Sequence, residues 1–158
     1  MGLPSLAFVF HERYRNDYRF DSRGLGEWHG RAAWLVDLQQ RPDRKSRIRG
    51  YDVQDTLYPV SLKGRAWIAA DSFEVMRMEA DTMKPVPQIN LRDEHQTIQY
   101  APVHFRTGGT ELWLPASADL YFDFQRHRYH RVHSFDSYLL FSVSVSQKIG
   151  TPKQVAQK

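Results

Sequence analysis

Three of the seven histidines in this 158-residue chain fall at three-residue intervals within one short stretch, RHRYHRVHSF, residues 126–135. Imidazoles are common metal ligands, and the arginines between them would suit an anionic partner. The preceding residues alternate apolar and polar, which predicts a β-strand whose neighbouring side chains point to opposite faces. His127 and His133 would then lie about 20 Å apart on one face, with His130 on the other. The spacing therefore argues against a single metal site and favours an exposed cationic strand.

Other residue types that could carry catalysis do not combine into a known catalytic motif. Asp119 and Asp123 share a predicted strand face but lie about 13 Å apart, beyond the roughly 5–9.5 Å used in glycoside hydrolysis. The segment GLGEWHG, residues 24–30, misses the dinucleotide-binding spacing of glycines by one residue and predicts a turn. The sequence HSFD, residues 133–136, has the residue types of a catalytic triad, but adjacent positions do not assemble one. No metal site, no cofactor and no catalytic residue is predicted.

The elements that position these residues are predicted to be strands, because apolar and polar residues alternate along most of the chain. The turn residues near Ala69 to Ser72 predict a hairpin over residues 65–80. No helical stripe of twelve residues is found. Seven to nine short strands predict an all-β or β-dominated α+β fold, a curved antiparallel sheet. The clearest predicted strands are GRAAWLVDLQQ at 30–40, TIQYAPVHF at 97–105, ADLYFDFQ at 118–125 and LLFSVSVSQ at 139–147.

Length and composition limit the domain organisation and the partners. We expect a single β domain over residues 1–147 and a frayed tail over 148–158, where the periodicity is lost. The absence of cysteine excludes disulfides, thiolate metal sites and cysteine nucleophiles. The net charge of +4 is a small excess of 22 basic over 18 acidic residues, so no nucleic-acid partner is expected. The apolar stretch LPSLAFVF at 3–10 is too short to span a membrane and lacks the form of an export signal.

Three phrases of the sequence resemble those of a known protein family. They are GRAWI at 64–68 leading into RME at 77–79, and LWLP at 112–115 preceding a long strand. Together with the strands over residues 60–146, they resemble the C-terminal half of the bacterial outer-membrane lipoprotein carriers. The resemblance implies a half-barrel, an apolar concave face that holds acyl chains, and a periplasmic or outer-membrane-associated location. Its partners would be a lipid, a lipoprotein or another envelope protein.

On this basis the leading hypothesis is a noncatalytic envelope domain that binds an apolar ligand on the concave face. Burial of apolar surface would drive such binding. The residues expected to line that face are Trp34, Val36, Leu120, Phe122, Phe124, Phe141 and Val143.

Two alternatives remain open from the sequence. One is an interaction module that docks an anionic partner, such as lipid headgroups, through two basic segments. Its expected residues are Arg41, Arg44, Arg47, Arg126, Arg128 and Arg131. The other, a minor alternative, is a hydrolase whose site is assembled from His95, His104 and acidic residues on neighbouring strands.

Overall fold

The computed structural model describes residues 5–105 and 109–139, in which seven antiparallel strands form a curved sheet that does not close into a barrel. This confirms the predicted fold class. Two further strands pair as a separate hairpin, and three short 3₁₀ helices span Leu6–Phe10, Arg15–Asp17 and Pro87–Ile89. The strands are β1 Tyr18–Trp28, β2 Arg31–Gln40, β3 Gly50–Val53, β4 Thr56–Pro59, β5 Leu62–Ala69, β6 Val75–Thr82, β7 Leu91–His104, β8 Glu111–Phe124 and β9 His127–Ser134.

The sheet is a meander into which one hairpin is inserted. Its strand order is β1-β2-β5-β6-β7-β8-β9, so every neighbour in the sheet follows in sequence except across the β3–β4 insertion. The β3–β4 hairpin forms its own two-stranded sheet and shares no hydrogen-bonded ladder with the larger one. It is therefore attached to the main sheet by its connecting loops and its side chains.

The two faces of the sheet differ in what they pack against. Directly opposed residues point to the same side, so one row crosses the sheet through Val36, Ala66, Met78, Ile98 and Ala118. We call this side the core face, and the opposite side the open face. The core face is closed by three segments that we call the cover. They are residues 5–17 with the two N-terminal 3₁₀ helices, residues 41–61 with the β3–β4 hairpin, and residues 83–90. The buried cover side chains are Leu6, Val9, Val60 and Ile89.

The alternating patterns give the strands that they predict. Strand β8 contains residues 118–124, with Phe122 buried in the core and Leu120 and Phe124 packed beside it. The predicted hairpin over 65–80 is formed by β5 and β6, with its turn at residues 70–74. The histidine-rich stretch is strand β9, and its residues are exposed apart from His133. The period-two interpretation of that stretch is confirmed.

Three parts of the sequence fold differently from what the patterns predict. Residues 24–28, taken with the turn GLGEWHG, belong to the long strand β1, and only His29 and Gly30 form the turn. A bulge between Ser22 and Gly24 shifts the register there, which breaks the alternation that would have revealed the strand. Strand β7 begins at Leu91, six residues before the predicted strand at 97–105, and the β3–β4 hairpin was not predicted.

Pro102 lies within β7 at a point where the strand has one neighbour. The β6–β7 pairing covers residues 95–99, whereas Pro102 pairs with Trp113 of β8. Proline has no N–H to donate, so it fits where one side of the strand carries no partner. The predicted strand at 139–147 lies outside the described residues except for Leu139, and the predicted tail at 148–158 lies wholly outside them.

Candidate functional site

The three predicted ligand-binding residues of β8 lie together on the core face. Phe122 is 7% exposed, and Leu120 and Phe124 pack against the same core cluster. Tyr51 of β3 covers them, with its ring centroid 5.5 Å from that of Phe124 and 6.4 Å from that of Phe122. The part of the core face formed by β8 is therefore occupied by the protein's own cover.

The other two described residues of the predicted site, Trp34 and Val36, lie on the same face but toward the opposite end of the sheet. Trp34 belongs to a cross-strand row that crosses four strands, from β1 to β6. We call this row the apolar ledge, and it consists of Leu25, Trp34, Ile68 and Val75. Leu25 is 63% exposed and Trp34 is 37% exposed, so the cover does not bury this end. Phe141 and Val143 lie outside the described residues.

A buried charged cluster joins the cover to the core face. Arg49 donates two hydrogen bonds to Glu94 of β7, at 2.7 and 2.6 Å, and the Tyr51 hydroxyl donates to the same carboxylate. The Glu94 side chain is fully buried. Burial opposes the charge of Arg49, but the hydrogen bonds and the charge of Glu94 outweigh it and raise the pKa of Arg49. Burial, together with Glu94, raises the pKa of Tyr51.

The predicted basic residues of the 41–49 segment are paired with nearby carboxylates. Arg41 and Arg44 lie 3.3 and 3.8 Å from Asp43, and both are about half exposed. Arg47 lies 2.7 Å from Asp17, which is buried. Part of the positive charge of this segment is therefore neutralised within the cover.

The predicted basic residues of the β8–β9 hairpin do not share one face. Arg126 lies in the turn at a positive φ of 65°. Arg128 is opposite Asp123 on the open face, whereas Arg131 is opposite Leu120 on the core face, where its guanidinium lies 5.2 Å from the Phe122 ring centroid. The alternation of the strand disperses these charges as it disperses the histidines.

The two histidines of the hydrolase alternative each pair with a carboxylate across a strand boundary. His95 Nδ1 lies 2.8 Å from Asp81, and its Nε2 lies 3.3 Å from the Thr97 hydroxyl. His104 Nδ1 lies 2.9 Å from Glu111. His95 and His104 are nine positions apart on β7, about 30 Å along a strand, so they cannot serve one reacting group. Within residues 5–105 and 109–139, no three histidine or acidic side chains are grouped to hold a metal ion.

The open face carries a charged groove. One depression of about 350 Å³ crosses β1, β2, β5 and β6, and a second of about 390 Å³ continues it toward β8. Lys63 and Asp81 line both, so the two form one groove. The hydrogen bond from Arg65, with a second from Arg23, lowers the pKa of Asp37 in its floor. His95 lies at the edge of the groove, whose charged side chains are Asp21, Arg23, Asp37, Lys63, Arg65, Glu79, Asp81 and Asp93.

A second apolar cluster, apart from the main core, lies at one end of the open face, and sequence patterns did not reveal it. Ala33, Ala69 and Met76 are buried there, and three tryptophans pack against them. The tryptophans are Trp28, Trp67 and Trp113. They come from three strands far apart in the sequence, so only the register brings them together.

Comparison with protein-family models, with curated proteins and with solved structures finds no match to this chain. Among the described residues, no helix combines the length and the hydropathy that crossing a bilayer would require.

Proposed function

We propose that the protein is a noncatalytic cell-envelope domain that binds the acyl chain of a lipid or lipoprotein at the core face. The observation that carries this proposal is the apolar ledge, the row formed by Leu25, Trp34, Ile68 and Val75 across four strands. Leu25 and Trp34 are exposed, although they continue the face that elsewhere forms the core. The periplasmic or outer-membrane-associated location is part of the proposal and follows from the family resemblance.

The ledge suits an extended apolar ligand for a physical reason. Four apolar side chains in one cross-strand row make a continuous strip, and the favourable free energy of covering it scales at about 25 cal/mol per Å² before association costs are subtracted. Ile68 and Val75 already pack against the main core, so the strip leads beneath the cover. An acyl chain lying on the ledge would extend the core outward rather than replace it.

The cover can adapt to such a ligand without disrupting the sheet. The β3–β4 hairpin shares no ladder with the main sheet, and Tyr51 and Tyr58 pack against the core through their side chains. A displacement of the hairpin therefore breaks no strand pairing of the larger sheet. We expect the ligand to enter from the ledge and to pass toward Val36.

Native mass spectrometry of freshly purified protein tests this proposal. We expect a retained lipid mass, or uptake of added oleate at one equivalent. Leu25→Glu, which puts a charge on the ledge, is expected to reduce oleate binding at least tenfold. Leu57→Glu is the matched control, because Leu57 is 67% exposed but lies on β4 of the cover. A protein that retains no lipid and takes up no oleate, or equal loss in both variants, contradicts the proposal.

A second candidate is docking of an anionic surface, and the exposure of β9 favours it. Arg128 is 90% exposed in its side chain, and Asp123 is 4.0 Å away, so solvent screens that pair strongly. Binding to phosphatidylglycerol vesicles should then fall steeply between 50 and 200 mM salt, by about tenfold for every two arginines that pair with lipid phosphates. The combined replacement of Arg126, Arg128 and Arg131 by alanine should weaken it more than the same change at Arg41, Arg44 and Arg47. Binding that salt does not alter contradicts this candidate.

A further inference from the structure

Three of the four tryptophans are gathered at one end of the open face, on the side of the sheet opposite the apolar ledge. The buried Ala33 and Ala69 lie beneath them, and these small side chains leave space above the sheet for large rings. Each tryptophan is half-buried rather than enclosed. Half-buried aromatic rings on a rigid sheet are a frequent basis for ligand recognition.

Arg77 fixes two of these rings. Its guanidinium carbon lies 4.6 Å from the ring centroid of Trp28 and 5.3 Å from that of Trp67. One of its terminal nitrogens donates to Glu79 at 3.1 Å, which holds the guanidinium in place. The cation therefore serves as a support between two rings and orients them before any ligand arrives.

Arg31 supports the third ring in the same way. Its guanidinium carbon lies 5.2 Å from the ring centroid of Trp113. The same side chain donates to Asp71 at 2.8 Å and to Ser72 at 3.0 Å, both in the turn between β5 and β6. The position of Trp113 is thus tied to a turn of the main sheet.

A cavity of about 280 Å³ opens between these groups. This volume is just below the roughly 300–1,000 Å³ of ligand pockets, so one or two six-membered rings fill it. None of the described residues that line the cavity is a carboxylate, in contrast to the charged groove beside it. The aromatic residues among its described lining are Trp28, Tyr100 and Trp113, and polar side chains are supplied by His29, Arg31 and Gln99.

The chemistry of the lining selects the class of ligand. The negative faces of the aromatic rings attract weakly positive C–H groups. A cationic ligand would meet the Arg31 guanidinium, which is already stacked on the Trp113 ring, and it would find no carboxylate among the described lining residues. Arg31, His29 and Gln99 supply hydrogen-bond donors at the rim, and Gln99 also supplies an acceptor. We propose that this cavity binds a saccharide, with the C–H face of one sugar ring against a tryptophan and its hydroxyls at the rim.

Saturation-transfer difference NMR with cellotriose, maltotriose and triacetylchitotriose, each at millimolar concentration, tests the proposal. At least one should receive magnetisation, strongest at the ring C–H protons of a single face. Trp113→Ala is expected to weaken its binding about tenfold or more, as loss of a central aromatic contact does. Gln99→Ala, which leaves the rings in place, is expected to weaken it by a smaller factor and decides the case if Trp113→Ala does not fold.

Trp34→Ala is the matched control, because Trp34 is a half-exposed tryptophan on the core face. It should leave saccharide binding unchanged, and thermal unfolding followed by circular dichroism shows which variants are folded. The proposal is overturned if none of the three saccharides receives magnetisation, or if Gln99→Ala binds as wild type does. Tighter binding of indole-3-acetate than of every saccharide also overturns it, because the site would then prefer an aromatic ring. Because this site lies across the sheet from the ledge, its failure leaves the acyl-chain proposal untouched.

Discussion

Two arginine–carboxylate clusters on opposite sides of the sheet have the same hydrogen-bond distances and different surroundings. Arg49 binds Glu94 at 2.7 and 2.6 Å beneath the cover, and Arg65 and Arg23 bind Asp37 at 2.7 and 2.6 Å on the open face. The Glu94 side chain is 0% exposed, whereas that of Asp37 is 24% exposed. The hydrogen-bond distances are therefore alike in the two clusters, and the exposure of the carboxylate to solvent is what differs.

The difference shows how the molecule divides its polar chemistry. A buried carboxylate that loses its partner cannot recover hydration, so the cover and the sheet depend on Arg49 remaining in place. A partly exposed carboxylate exchanges one partner for water at small cost, so the side chains around Asp37 can rearrange without a large loss of stability. The charge of Glu94 on the core face is enclosed by its partners and stabilises the fold, whereas the charge of Asp37 on the open face stays in contact with solvent.

The largest expected effect comes from breaking the buried cluster. Glu94→Ala should lower the free energy of unfolding by about 3–5 kcal/mol, because it leaves the partly buried Arg49 without its partner and removes the acceptor of the Tyr51 hydroxyl. Asp37→Ala, at matched hydrogen-bond distances, should cost less than about 1 kcal/mol. Urea unfolding followed by circular dichroism measures both. Equal losses in the two variants would show that burial does not distinguish the clusters.

A second way to sharpen the comparison uses one glycine from each face. A methyl group at Gly64 would overlap the backbone carbonyl oxygen of Glu79 and lie 2.8 Å from the Cα atom of Ala80. Gly64→Ala should therefore cost about 3 kcal/mol, because backbone of β6 would have to move. At Gly26 the methyl group meets the end of the Leu35 side chain, at 2.9 Å, which can rotate away. Gly26→Ala should cost less than about 1 kcal/mol, and a larger cost at Gly26 than at Gly64 would contradict this view.

A smaller difference between the two clusters is expected in how salt changes the stability lost when each carboxylate is replaced. The loss caused by Asp37→Asn, below about 1 kcal/mol, should shrink further in 1 M sodium chloride, where charges are screened beyond about 3 Å. The loss caused by Glu94→Gln should hardly change, because ions do not reach a buried pair. Parallel urea titrations at low and high salt measure this, and a salt-independent Asp37→Asn loss would exclude screening.

The smallest expected effect is the pH dependence that Asp37 contributes. Its folded-state pKa lies below the ordinary value of 3.8, chiefly because of the Arg65 hydrogen bond. A depressed carboxyl pKa contributes stability that is present above 3.8 and is lost as the pH falls through the lower folded value. Asp37→Asn should therefore be less stable than wild type at pH 6, with the difference shrinking toward pH 2. A difference that grows on acidification would have the wrong sign for this mechanism.

Most of the main sheet could be predicted from the sequence because its strands bury one face. Alternation between apolar and polar residues revealed β2 and the end of β8, and turn residues between two apolar runs revealed the β5–β6 hairpin. It failed for β1, where the bulge between Ser22 and Gly24 shifts the alternation by one position. It also failed for the β3–β4 hairpin, where four-residue strands are too short to show a period.

The candidate sites were less predictable, because they depend on partners far apart in the chain. The sequence placed Trp34 and Phe122 on one wall, and the structure puts them on one face, but only the structure shows that Tyr51 covers Phe122 and that Trp34 stays exposed. The pairing of Arg49 with Glu94 joins positions 45 residues apart. No local spacing signals either contact, since both arise from where the cover settles on the sheet.

The insertion between β2 and β5 has one further consequence. These two strands are already neighbours in the sheet, so the path of the meander does not depend on the segment that connects them. A segment of different length and sequence could span the same gap, provided that it brought comparable apolar bulk to Met78 and Phe122. Related chains would therefore be expected to diverge first in this segment, while the meander beneath it stays the same.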